Sequence, residues 1–235
     1  MALNVATLKT RSLTAVFFVV VMLAGLLLNS WSFLILFTIV HFGCWYEFIN
    51  LMKKIYGEKY LSYCLFGLIY ITMPVLAMID LRQTFNLFEG YKYLQDTGLS
   101  IPLCIIFSIW INDTMAYIVG SLIGKTPFSK ISPKKTWEGT IGGAILCVIT
   151  IGFLYPLLMK KYLNPLIPDK SWFIIAALCA IFGTIGDLFE SKLKRMANVK
   201  DSGTIMPGHG GFLDRFDSLL FAAPAVWLYV HFFIS

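Results

Sequence analysis

The sequence predicts an all-α, polytopic integral membrane helix bundle, and three observations predict it. Of 235 residues, 58% are hydrophobic and 14% charged, whereas soluble domains run near ~25% charged and below ~50% apolar. Mean hydropathy is +0.76. The apolar residues also gather in seven runs of the ~17–25 residues needed to cross ~30 Å of hydrocarbon. A disordered chain, a collagen-like chain and an ordinary cytosolic globule are excluded. Lipid offers the backbone no hydrogen-bonding partners, so uninterrupted apolar runs read as helices. Barrel strands would alternate instead.

In order, the runs cover residues 12–28, 31–50, 60–79, 100–122, 139–159, 171–190 and 218–234. The first follows Lys9 and Arg11 as a signal peptide would. It lacks a small-x-small cleavage site and six runs follow, so it is expected to be retained. Only Asn29 and Ser30 separate the first two runs, which predicts a hairpin. Residues 80–98 are short and of mixed charge and read as an outer loop. No repeat or low-complexity tract is present. Residues 1–235 are expected to form a single membrane domain, with less specific helices in 1–99 and the chemistry-bearing helices and loops in 100–235.

The net charge is +6, from 19 Lys and Arg against 13 Asp and Glu. With the N-terminus in the cytoplasm, Arg82, Lys92, Lys160, Lys161 and Lys170 lie outside and the other 14 basic residues inside. That asymmetry sets the orientation and places the 191–217 loop in the cytosol. Basic loops of this kind also attract anionic lipid. Nothing points to a nucleic-acid partner. Cys44, Cys64, Cys104, Cys147 and Cys179 all fall in apolar runs without a Cys-x-x-Cys pair, so they read as small packing residues.

Carboxylates at membrane depth cost ~2.5–3.5 kcal/mol each, so each needs a reason. Asp113 sits inside the fourth run beside Asn112, on adjoining helix faces, and is a candidate functional residue; a helix-to-helix hydrogen bond is its structural alternative. The following loop nearly spells a P-loop from Gly120 to Lys125, but the glycine spacing is short by one and the segment follows a helix. Ser132-Pro133-Lys134-Lys135-Thr136 is more informative. Two ammonium groups and two hydroxyls before a helix start suit an anion, though Lys134 and Lys135 read equally well as topology signals. Gly139-x-x-x-Gly143 behind them suits close helix packing.

The sixth run ends with Asp187, Glu190, Ser191 and Lys194 at i, i+3, i+4 and i+7, hence on one helix face. Carboxylates near a helix C-terminus oppose its dipole and call for a cation. Beyond Arg195 the loop carries Lys200-Asp201-Ser202-Gly203, Pro207-Gly208-His209-Gly210-Gly211 and Asp214-Arg215-Phe216-Asp217. The three glycines around His209 let backbone N–H groups approach an anionic ligand. Asp217 reads alternatively as a helix N-cap, and His209 reads better as a loop-ordering residue than as a proton-transfer group. Without a His/Cys cluster or an acyl-transfer elbow, aspartates favour Mg²⁺ or a similar hard cation. Aspartates, lysines, arginines and glycines together at one face indicate phosphate chemistry.

The run Ser191-x-x-Lys194-Arg195, Lys200-Asp201, Pro207-x-His209-Gly210-Gly211 and Asp214-Arg215-x-Asp217 resembles the signature of phosphatidate cytidylyltransferases, the CDP-diacylglycerol synthases. Asn112-Asp113, Ser132 to Trp137 and Gly186-Asp187 are also similar to family segments, so the resemblance covers most of 108–220. Met206 replaces a branched aliphatic residue, and the chain is shorter than typical bacterial members by about one hairpin. The resemblance implies CTP plus phosphatidate giving CDP-diacylglycerol plus pyrophosphate, with Mg²⁺ and room for a second cation. The reaction belongs to phospholipid biosynthesis and would take place at the cytoplasmic face of a bacterial plasma membrane.

On that resemblance, Asp187, Asp214 and Asp217 would hold the metal, with Asp201 nearby. Lys194, Arg195, Lys200, Arg215, Lys134 and Lys135 would hold the triphosphate and lipid phosphate. Ser132, Ser191, Asn112, Asp113, His209, Gly210 and Gly211 would line the site, and Asp187 and Asp214 would converge. A homodimer suits the family and the Gly-x-x-x-Gly pair. The alternatives are a CTP-dependent lipid-alcohol kinase, which would need a base for the hydroxyl, and a membrane transporter. A transporter should show paired halves, and the sequence shows none.

Overall fold

The computed structural model describes residues 5–84, 97–129, 131–160, 163, 167–205 and 210–234. His209, with Met206, Pro207 and Gly208, lies outside them, as do most of the expected outer loop (85–96), Lys130 and Lys161. The described residues are helical and form no sheet; one isolated bridge joins Pro127 and Thr136. The helices are α1 (Val5–Leu27), α2 (Ser30–Tyr56), α3 (Tyr60–Cys64), α4 (Met73–Thr84), α5 (Ser100–Ile123), α6 (Trp137–Leu158), α7 (Asp169–Met196) and α8 (Leu213–Phe233). Among the described residues, five helical stretches are long and apolar enough to cross a membrane: Ser30–Cys64, Ser100–Ile123, Trp137–Leu158, Asp169–Met196 and Leu213–Phe233. An all-α, polytopic membrane protein is what this architecture describes.

The first expected run, 12–28, lies along α1. One of the seven differs from a simple span. The run at 60–79 is broken into α3, a π-helical turn at Leu68–Thr72, and α4. Pro74 accounts for the break: it has no N–H for the carbonyl four residues back, and its ring crowds that carbonyl. Thr72 Oγ1 within the turn meets Trp45 Nε1 and His41 Nε2, each at 3.0 Å.

The chain divides into two compact units, Met1–Thr72 with Lys192–Asp217, and Met73–Ser191 with Ser218–Ser235. In the first, α1 and α2 form the expected hairpin. Asn29 caps α2 by accepting the Ser32 N–H at 2.8 Å, while Ser32 Oγ accepts the Asn29 N–H at 3.0 Å. The α2 residues Phe33, Phe37, Val40, Cys44, Glu47, Phe48 and Leu51 are buried along one helical stripe. Glu47 is the one charged member of that stripe.

In the second unit α5 and α6 pack backbone to backbone. A Cβ on Gly143 would lie 2.6–2.7 Å from the Ala116 N, Cα and Cβ, and one on Gly139 2.7 Å from the Ala116 oxygen. The Gly139-x-x-x-Gly143 pair is therefore spent on packing inside the chain, and a dimer seam would have to lie elsewhere. Tyr155 OH donates to the Ser100 carbonyl at 2.5 Å, and Cys147 Sγ–H to the Ser108 carbonyl at 3.2 Å. All five cysteines are buried free thiols.

Candidate functional site

In the second unit, three segments far apart in sequence line one pocket of about 500 Å³. From α5 come Asn112, Asp113, Ala116, Tyr117, Gly120 and Ser121; from the loop and the α6 start come Ser132, Lys134, Lys135, Thr136 and Thr140; α7 supplies Thr184 and Asp187. Asn112, Asp113, Ser132, Lys134, Lys135 and Asp187, all expected from sequence, are thus brought together. Thr136, the second hydroxyl of the Ser132–Thr136 segment, lines it as well, and Tyr117, Thr140 and Thr184 join them without having been singled out as ligand contacts.

The local sequence explains the wall. Thr136, extended at φ −118°, caps α6 by accepting the Gly139 N–H at 3.1 Å. The Phe128 N–H donates to the Lys135 carbonyl at 2.8 Å and the Trp137 N–H to the Thr126 carbonyl at 3.0 Å. Glu138 accepts the Thr126 hydroxyl at 2.8 Å and the Lys125 and Thr126 N–H groups at 3.2 Å, closing the loop. The near P-loop is a helix ending: the Gly124 N–H caps α5 on the Gly120 carbonyl at 3.0 Å.

Inside the pocket the charges are already arranged. Lys135 Nζ is hydrogen-bonded to Asp187 Oδ2, and Ser191 Oγ donates to Asp187 Oδ1 at 3.3 Å. Lys134 is exposed and makes no ion pair among the described residues. Asn112 is 5% exposed, and its Oδ1 has no hydrogen-bond partner among the described residues. A buried amide oxygen left open in this way costs free energy unless a ligand donor or water meets it. Glu190 lies one turn after Asp187 on α7 and is fully buried.

The first unit holds the second constellation. Asp214 Oδ1 accepts Lys194 Nζ at 2.6 Å; Oδ2 accepts the Ser202 N–H at 2.9 Å and the Gly211 N–H at 2.8 Å, and Ser202 Oγ stands 2.9 Å away. These contacts take up about the four lone-pair positions a carboxylate offers. Gly210, at φ 80°, occupies a conformation glycine tolerates, and a Cβ there would meet Asp214 Oδ2 at 2.4 Å. Of the glycine N–H groups in this loop, that of Gly211 is thus directed onto the Asp214 carboxylate. Arg195, Lys200, Asp201 and Arg215 are exposed, with no ion pair among the described residues. Asp217 lies one turn into α8.

Sequence reasoning missed Glu47, Ser202 and Glu138. Glu47 carried a usable signal, since it is an acidic residue inside an apolar run and on the same helical stripe as Val40, Cys44 and Leu51. Ser202 and Glu138 carried none, because their partners are set by the folded loops.

Residues 58–233 match the family model described as the Cytidylyltransferase family. A Thermotoga maritima protein named phosphatidate cytidylyltransferase is 40% identical over 162 residues, 68% of this chain and 60% of its own length. A Staphylococcus saprophyticus protein of the same name is 45% identical over 139 residues, 57% of this chain and 52% of its own. The Arabidopsis thaliana phosphatidate cytidylyltransferase 4, chloroplastic, is 37% identical over 186 residues, 72% of this chain and 46% of its own. The chain thus spans about half to three fifths of the length of these relatives. With its matched region running from the end of α2 to the end of α8, the chain belongs to the Cytidylyltransferase family.

Proposed function

We propose that this protein transfers the cytidylyl group of CTP to phosphatidate, forming CDP-diacylglycerol and pyrophosphate. The observation that carries the reading is the pocket in which Lys134, Lys135, Ser132, Asn112 and Asp187 converge. It offers ammonium groups and hydroxyls for phosphates, and amide and carboxylate oxygens for a sugar, a base or a cation. The relatives named phosphatidate cytidylyltransferase support the choice of substrates.

In the reaction, a phosphate oxygen of phosphatidate bonds to the α-phosphorus of CTP. The bond from that phosphorus to the bridging oxygen breaks, and its electron pair leaves with pyrophosphate. A phosphate monoester is largely ionised near neutral pH, its second pKa being ~6, so no strong general base is needed. Bringing one anion onto a polyanion is the difficulty, and positioning with charge neutralisation supplies the rate. Lys134 and Lys135 clamp phosphate oxygens, and Asn112 Oδ1 accepts from a substrate donor. Lys194, Arg195, Lys200 and Arg215 hold further phosphate oxygens, while Asp113, Ser191, Asp201, His209, Gly210 and Gly211 complete the surroundings.

The carboxylates Asp187, Asp214 and Asp217 are hard oxygen donors of the kind Mg²⁺ takes. Asp214 would join such a set with its Lys194 pair opened, which would leave Lys194 for a phosphate. When bound, Mg²⁺ neutralises triphosphate charge and polarises the α-phosphorus. The basic-residue asymmetry supports a site facing the cytosol, and the bacterial relatives support a bacterial plasma membrane.

The test uses membranes carrying the full chain, α-labelled CTP, phosphatidate and Mg²⁺. Label should enter the organic phase, stop with a chelator and resume with Mg²⁺. Label remaining in water as CDP while the lipid gains phosphate would replace this reading with a lipid kinase.

A further inference from the structure

The geometry points to Glu47, a residue outside the family-matched region, as the positioning residue that holds the signature loop in its working shape. Glu47 is 1% exposed within α2. Its Oε1 accepts the Phe212 N–H at 2.9 Å, and its Oε2 accepts the Leu213 N–H at 2.9 Å and the Ser202 hydroxyl at 2.7 Å. These are amides at the N-terminus of α8, where a carboxylate satisfies orphan donors and meets the positive end of the helix.

The loop is also shaped around this one side chain. A Cβ on Gly203 would stand 2.2 Å from Glu47 Oε1, and one on Gly211 2.1–2.2 Å from both Glu47 oxygens. Neither glycine has a positive φ, so the backbone conformation does not require glycine at either position. What requires it is the room Glu47 takes. Gly211, read from the sequence as room for an anionic ligand, thus joins Gly203 in cradling a protein carboxylate.

Ser202 links Glu47 to the working residues. Its hydroxyl lies within hydrogen-bond distance of Glu47 Oε2 and Asp214 Oδ2, and its N–H donates to Asp214. One hydroxyl proton serves one carboxylate at a time, so Ser202 couples the two acids. Asp214 in turn holds Lys194. Glu47 therefore fixes where Asp214 and Lys194 stand without touching substrate.

The activity arm of the test rests on the phosphatidate cytidylyltransferase reading; the exchange arm does not. In the full chain in detergent, Glu47→Gln keeps the side-chain size but turns an amide N–H₂ toward one backbone donor. The expected result is a fall in kcat on the order of a hundredfold, the scale of a ~1 Å misplacement, with KM for phosphatidate unchanged. Hydrogen exchange at Phe212 and Leu213 should quicken while α5 and α6 keep their protection. Gly203→Ala should cause the same loss alone and add nothing in a Glu47→Ala background.

Wild-type kcat and wild-type exchange in Glu47→Gln would overturn the proposal. So would a lower yield of folded protein with unchanged kcat per folded molecule, which marks a merely structural residue. Should Glu47→Gln not fold, Ser202→Ala decides on the same two readouts. If the unaltered chain does not label lipid, the substrate reading falls alone, and exchange together with the Gly203 cycle still decides the role of Glu47.

Discussion

Substituting Gly143 by Ala tests how tightly the pocket depends on the packing of α5 against α6. The added Cβ would stand 2.6–2.7 Å from Ala116 N, Cα and Cβ, whereas ordinary contact begins at 3.4 Å. Two of these three atoms are backbone, so no rotamer relieves the clash. The helices must separate by 0.7–0.8 Å, the difference between those distances. Overpacking of this kind costs ~1–3 kcal/mol, against a helix-propensity gain of ~0.5–1 kcal/mol for removing a glycine.

The net loss, up to about 2.5 kcal/mol from the difference of those ranges, corresponds to a fall in Tm of up to roughly 10 °C for a chain of this size. Ala116 also lines the pocket, so the same separation moves Asn112 and Asp113 relative to Thr136 and Thr140. At ~10²-fold per ångström of misplacement, kcat/KM should fall on the order of tenfold or more. Gly183→Ala is the matched control. Its Cβ would meet Ser218 Cβ at 3.4 Å and nothing nearer, so it should keep full activity and hold or raise Tm. Thermal unfolding in detergent and label transfer from CTP measure both variants. Equal behaviour of the two would refute the reasoning.

Lys134 and Lys135 should separate kinetically. Lys134→Ala removes an exposed ammonium without an ion-pair partner among the described residues, and is expected to raise KM for CTP about tenfold with kcat kept, the mark of uniform binding. Lys135→Ala also strips Asp187 of its cation, so kcat and kcat/KM should fall together. Thr136→Ala should cost ~1 kcal/mol through the lost α6 cap, visible in Tm, while Thr136→Ser, which keeps the oxygen, should restore it.

Much of the site was legible because its chemistry is expensive to place anywhere else. Asp113 inside an apolar run, two lysines before a helix start, and Asp187 late in another apolar run each violate a local preference, and all line the pocket. The helix α7 itself continues to Met196, so Asp187 is not at its end. Glu47 violated the same preference in α2 and passed unread, since its partners lie some 155–166 residues away. The break before α4 was legible in Pro74, yet uniform hydropathy across 60–79 hid it. The glycines of the signature loop were legible as a demand for space, but not as space for a carboxylate of the protein itself.

By itself the sequence determined the helical membrane class, the hairpin at Asn29 and the polar residue types that line the pocket. Hydropathy and charge act locally, and each residue carries its own cost of burial. The tertiary structure alone decided which donors face which acceptors. It spent Gly139 and Gly143 on α5, and it set the Phe212 and Leu213 amides on Glu47. Asp214 was given to Lys194 and Ser202, while Asn112 Oδ1 was left open in the pocket. Hydrogen bonds are short and directional, so they answer to the packing of helices that no run of sequence contains.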